Sequence, residues 1–134
     1  MGGVRRRPAP ALTVGCPEIT GASAAYRDLL RIRTAERAFG LTSTDAVQSV
    51  LSFPLSGPDE TPGGITMRLG DLVVVFNATP ATRSQRVAGL AGRAYGLHRV
   101  QAQGADRTVK GSSYERSSGT FTVPARTVAV FAPR

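Results

Sequence analysis

The sequence predicts a mostly β protein, an antiparallel β-sandwich of about seven strands preceded by one amphipathic α-helix. Three observations lead there. Apolar residues recur at helical spacing in one long stretch, between Ser23 and Phe39. From Ser49 onward the spacing changes to short extended runs. Gly, Pro, Asp and Asn separate those runs, as turns between strands require.

Residues 1–21 are rich in Pro, Gly, Ala and Arg without period and read as a flexible N-terminal arm, which leaves 22–134 as the helix and the sandwich. In "SAAYRDLLRIRTAERAF", Tyr26, Leu29, Leu30 and Arg33 follow an i, i+3, i+4, i+7 pattern and Phe39 lies further on. This places a helix from about Ala24 to Ala38, with Ser23 as its N-cap and Gly40 as its stop. Asp45, with Gln48 three residues later, can cap one further short turn. The candidate strands are "SVLSFPL", "GITMRL", "LVVVFNA", "QRVAGL", "YGLHRVQ", "GTFTVP" and "TVAVFA". "LVVVF" is apolar on both faces and suits a central strand covered on both sides, whereas "TFTV" alternates and suits a strand with one wetted face. Pro124 cannot donate to a ladder, so "TVPARTVAVF" divides at "PAR" into two strands. Asn77 in "NATP" matches a glycosylation acceptor pattern, but the spacing fits a strand-end turn better.

Composition excludes several functions. The 134 residues fit one domain, and runs such as "DLVVVF" fall far short of the ~20 apolar residues of a membrane span. The apolar stretch after Arg5, Arg6 and Arg7 is short and holds Pro8 and Pro10, unlike a signal peptide, so the compartment stays open. Cys16 is the only cysteine, which rules out an intrachain disulfide and a paired-cysteine metal site. The net charge of +8 comes almost wholly from arginine, since Lys110 is the only lysine. Beyond the Arg5–Arg7 run these charges are dispersed, with no aromatic stripe among them for stacking on bases, so no nucleic-acid partner is expected.

Chemistry-bearing residues are sparse. His98 is the only histidine and, within "YGLHRVQ", reads as a sheet-surface residue. Cys16 reads as an incidental thiol. The nine acidic residues fall mostly in loops or on the helix surface, with Asp59 and Glu60 in "SGPDETPGG" and Asp106 in "QGADR", and do not form the opposed pair that glycoside hydrolysis needs. No phosphate loop, dinucleotide fingerprint or zinc spacing occurs, so no catalytic residue, cofactor or metal is expected. Without tryptophan, the candidate platforms for a sugar ring are Tyr95 and Tyr114, both near glycine-rich turns.

"YRDLLRIRTAERAFGLTSTDAVQSVLSFPLSGPDETPGGITMRL", "LVVVFNATP", "AGLAGRAYGLHRVQ" and "GTFTVPARTVAVF" together resemble the C-terminal part of pullulanase-type α-1,6-glucosidases, members of the α-amylase superfamily of glycoside hydrolases. The similarity covers about Ala25 to Phe131. It implies that "YRDLLRIR" corresponds to the last helix of a catalytic (β/α) barrel and that the rest is the β-sandwich packed on it. The family's catalytic carboxylates lie upstream, so none carries over to a residue here. Two departures stand out. Residues 1–24 do not look like the end of a barrel, which suggests a truncated chain, and "RLGD" makes a tight hairpin where the family usually carries a longer acidic loop.

The resemblance implies a non-catalytic accessory domain whose partner is a catalytic barrel on another chain, met through Tyr26, Leu29, Leu30 and Phe39. The alternative is a free-standing α-glucan-binding module using Tyr95 or Tyr114. An independent hydrolase is disfavoured by the missing carboxylate pair.

Overall fold

The computed structural model describes residues 13–58 and 60–134. Residues 1–12 of the expected arm, and Asp59, lie outside them.

Helix α1 runs Cys16–Ala35, so it starts eight residues before the expected Ala24. Pro17, within the stretch expected to be the flexible arm, sits in the first turn, where an amide hydrogen has no partner to lose and proline's fixed φ already suits the helix. Glu18 closes this end by accepting the Gly15 amide at 2.9 Å. The helix ends before the expected Ala38, because Glu36 is extended and a 3₁₀ turn, Arg37–Gly40, follows. The inward face is built on Asp28 and Ile32, one turn apart. Leu29 and Phe39 are half-buried beside that face, while Tyr26 and Leu30 point outward, so the expected single stripe is split between two faces. Helix α2, Thr44–Val50, is capped by Ser43 rather than by Asp45, with the Ser43 Oγ accepting the Ala46 amide at 3.2 Å.

The remainder is β-rich. Strands β1 (Leu51–Ser52), β2 (Gly64–Leu69), β3 (Leu72–Asn77), β4 (Arg83–Arg86), β5 (Tyr95–Leu97), β6 (Ser113–Glu115), β7 (Thr120–Val123) and β8 (Thr127–Pro133) form two antiparallel sheets. One has the order β1-β2-β3-β8-β5 and the other β4-β7-β6. The expected sandwich is therefore present. Gly70, at φ 60, makes the tight β2–β3 turn and fixes Leu69 opposite Leu72. β3 carries a separate load on each face, as its unbroken valines imply. Val73 and Val75 join Phe121, Val123, Ala129 and Phe131 in the core between the sheets. Val74 packs with Ile32 and Val130 under α1, rimmed by Phe39, Met67, Phe76, Val100 and Val128. β7 alternates as expected, with Phe121 and Val123 inward and Thr122 outward against Ser84.

Three expected runs end differently from expectation, the first being "SVLSFPL", which is a strand only at Leu51–Ser52 because Ser49 and Val50 belong to α2. "QRVAGL" contributes only the end of β4 before a 3₁₀ turn at Ala88–Leu90. "YGLHRVQ" is a strand only to Leu97, after which helix α3, Arg99–Gln103, begins. "SYE", with no apolar alternation, nonetheless forms β6 because β7 supplies its ladder.

Asn77 ends β3 as a buried junction. Its side-chain nitrogen donates to the carbonyls of Ala81, Val123 and Pro124 at 2.8, 3.1 and 2.8 Å, and its oxygen accepts the Thr79 amide and hydroxyl at 3.0 and 2.7 Å. The strand-end reading of "NATP" holds, and the nitrogen that glycosylation would modify is enclosed by carbonyls.

Candidate functional site

The two candidate platform tyrosines lie on edge strands of different sheets, β5 and β6, which approach each other and close one side of the sandwich. Their ring centroids are 5.4 Å apart at 69°. Both line a pocket of about 310 Å³ together with Gly96, Lys110, Ser112 and Arg134. Tyr95 is 7% exposed, its ring held edge-on by Phe121 at 5.6 Å, so its face is occupied by the core. Tyr114 is half-buried, and its hydroxyl hydrogen is shared between the carbonyls of Leu90 at 2.7 Å and Arg93 at 3.1 Å. Desolvation, followed by the neighbouring Tyr95, pushes the Tyr114 phenol above its ordinary range, with Arg116 and Arg93 opposing. The Ser112 Oγ is buried without a hydrogen-bond partner among the described residues. Two cations, a free hydroxyl and aromatic walls suit binding of a polar ligand, and among the described residues no carboxylate lines this pocket for acid–base work.

His98 is not a sheet-surface residue. It is 2% exposed and caps α3, its Nδ1 accepting the Val100 amide at 3.2 Å. That contact places the proton on Nε2, which donates to Glu36 Oε1 at 3.0 Å. The signal missed was the strand ending at Leu97: φ of −54 at His98 turns the chain into the helix. Two further polar side chains tie this layer together. Asp28 accepts the Ala105 amide at 3.0 Å, and a Cβ on Gly104 would collide with its carboxylate. Gln101 donates to the Val128 carbonyl at 2.9 Å and accepts the Val130 amide at 2.8 Å, so its amide stands in for the strand that β5 ceases to be. Both assignments depend on backbone distant in sequence, and no local pattern could have found them.

Cys16 is exposed at the start of α1. Among the described residues, no group of three or more His, Cys, Asp and Glu side chains could hold a metal ion. No helix among them is long and apolar enough to cross a membrane.

The outer face of α1 is the other candidate. Ile19, Tyr26 and Leu30 are 60%, 63% and 43% exposed along it. Of the four residues expected to face a partner, Tyr26 and Leu30 are therefore free, while Leu29 and Phe39 are half-buried by the sandwich.

Residues 7–134 match the family described as "Alpha-1,6-glucosidases, pullulanase-type, C-terminal". The chain belongs to this family. Among curated relatives, the chain is 39% identical over 123 residues to Pullulanase 1, chloroplastic, of Arabidopsis thaliana, covering 79% of this chain and 13% of that protein. It is 28% identical over 132 residues to Pullulanase of Klebsiella pneumoniae, covering 88% of this chain and 12% of the relative. Among solved structures, the crystal structure of PulA from Klebsiella oxytoca matches with a TM-score of 0.71 at 27% identity, over 91% of this chain and 13% of that one. Klebsiella pneumoniae pullulanase complexed with maltotriose matches at 0.70 and 25% identity, over 90% of this chain and 13% of that one. The pullulanase resemblance read from "VVVFNATP" and "GTFTVPARTVAVF" is thus borne out, and the chain spans about an eighth of the length of the pullulanases it matches.

Proposed function

We propose that this chain acts as a non-catalytic accessory domain that docks on the catalytic barrel of a pullulanase-type enzyme, carried by another chain, and has no glycosidase activity of its own. The observation that carries this reading is the outer face of α1, where Ile19, Tyr26 and Leu30 stand exposed on the helix whose opposite side is sealed by Asp28 and Ile32. A helix anchored through one face and apolar on the other is built to lie between two bodies. The region matched in the pullulanases is short relative to their length, which leaves the chemistry to the remainder of those proteins.

The test is complementation. Klebsiella pneumoniae pullulanase truncated before the matched region is assayed on pullulan with and without this chain. The wild-type chain is expected to restore activity, whereas the double variant Tyr26→Glu, Leu30→Glu is expected to lose at least tenfold of the effect. Its thermal midpoint should stay close to wild type, because substitutions at these exposed positions usually change stability by no more than ~0.5 kcal/mol. Equal rescue by both forms, no rescue by either, or reducing sugar released by the chain alone overturns the reading.

A second reading, an α-glucan-binding module, is favoured by one observation: Tyr95 and Tyr114, far apart in sequence, meet in a single pocket with Lys110 and Arg134 at its wall. Retardation of the full chain in a native gel containing pullulan, at salt high enough to screen the arginines, supports it. Unchanged mobility overturns it.

A further inference from the structure

The sandwich is closed along its β5/β6 edge, but at the opposite edge β1 covers only Arg68 and Leu69 of β2, which leaves Gly64–Thr66 of β2 open beside Gln85 of β4. A cleft of about 150 Å³ enters there, bounded by Phe53, Glu60, Thr61, Ile65, Thr66 and Gln85. Thr66 pairs with Val75 across the ladder and points with it between the sheets. It is 3% exposed, and its Oγ1 has no hydrogen-bond partner among the described residues. Gln85 reaches in from the opposing sheet, 4% exposed, with its Oε1 only 3.5 Å from the Thr61 hydroxyl, at the outer limit of a hydrogen bond. The glutamine amide needs glycine opposite: a Cβ on Gly64 would stand 2.5 Å from Gln85 Nε2.

A buried hydroxyl without a partner weakens the fold, and a valine would fill the same space without that cost. The position is explained if a ligand completes the bond. The cleft is about the size of a cavity that holds benzene, so it admits one edge of a sugar ring while the rest stays at the open mouth. Its deep groups, a hydroxyl and a primary amide, each donate and accept, which matches the hydroxyls of a neutral polyol. Among the described residues no cation lines it, and the Glu60 carboxylate disfavours an anion. Phe53 and Ile65, 45% and 46% exposed, offer apolar surface to the C–H faces of a sugar ring.

We infer that this inter-sheet cleft binds a single hexopyranose unit, such as a chain end of an α-glucan, through Thr66 and Gln85. The ligand class is that of the glucan-binding reading, but the site is on the other side of the sandwich from Tyr95 and Tyr114.

The test is a titration of the full ¹⁵N-labelled chain with maltose, followed by nuclear magnetic resonance. Saturable shifts are expected at the Thr66 amide and the Gln85 side-chain NH₂. Thr66→Val should weaken binding at least tenfold while leaving the thermal midpoint at or above wild type, a combination that a purely structural threonine would not produce. Phe53→Ala, at the exposed mouth, should weaken binding several-fold and provides a second variant should Thr66→Val misfold. Shifts confined to Gly96, Ser112 and Tyr114 would overturn this site and support the tyrosine pocket. An absence of saturable shifts at tens of millimolar maltose, or retained affinity in Thr66→Val or, where that variant misfolds, in Phe53→Ala, would also overturn it.

Discussion

Asn77→Ala is expected to destabilise the chain by about 3 kcal/mol or more, because it removes one side chain that serves three carbonyls and two Thr79 donors at once. Asn77 is 2% exposed, so water cannot take over the carbonyls of Val123 and Pro124 without opening the β7–β8 turn. That turn is already constrained, since Arg126 holds a φ of 50, uncommon for a residue with a side chain. Asn77→Asp should be at least as damaging: a carboxylate accepts but cannot donate, and here it would face three acceptors in a buried site. Urea unfolding followed by circular dichroism measures both. Against a typical domain stability of about 5–15 kcal/mol, either loss would be plain, and one below about 1 kcal/mol for Asn77→Ala would show that the junction is not the tie between strand ends.

The same residue shows how much of the fold was legible. Apolar spacing placed β2, β3, β7 and β8: β7 buries side chains at period two, β3 and β8 bury them on both faces at Val73 to Val75 and Ala129 to Phe131, and that burial is written in the residues themselves. The polar end of β3 also read correctly as a turn. What could not be read is why that turn needs asparagine, because two of the three carbonyls it serves come from more than forty residues away. The start of α1 was lost for a local reason: Pro17 breaks a helix from within but suits its first turn. Strand β6 was lost for the opposite reason, since Ser113, Tyr114 and Glu115 carry little strand signal of their own and pair because β7 is beside them.

The candidate sites divide along the same line. Tyr95 and Tyr114 were identified as aromatics beside turns, and their meeting in one pocket follows from strand order, which periodicity does not encode. Tyr26 and Leu30 were read as one face with Leu29, but the inward direction of α1 is set by Ile32 against Val74 and Val130. The helix has apolar residues on more than one side, so spacing alone could not choose which side the sandwich would cover. Thr66 and Gln85 gave no signal, being ordinary polar residues in short strands. Only the inter-sheet packing turns a hydroxyl and an amide at those positions into an anomaly that asks for a ligand.

Phe121→Ala is expected to cost about 3–5 kcal/mol, because the ring is fully buried and the space it leaves is bounded by both sheets. Its centroid lies 4.6 Å from Tyr114, 4.9 Å from Phe131 and 5.6 Å from Tyr95, so one truncation removes three aromatic contacts as well as apolar burial. Phe121→Leu should recover part of the loss by refilling volume without the edge-on geometry. The chain has no tryptophan, so tyrosine fluorescence and near-ultraviolet circular dichroism report directly on this cluster. Both should change in Phe121→Ala before global unfolding if the ring holds the tyrosine pair in place. A loss below about 1.5 kcal/mol would mean that β6 and β7 collapse into the space, and that the pocket wall is set by the backbone instead. The result bears on how sugar binding can be tested there. Tyr95 and Tyr114 share the ring packing that Phe121 organises, so alanine at either tyrosine would lower stability together with any affinity. Lys110, which lines the pocket and is itself exposed, is the position where binding can be changed while the core is left intact.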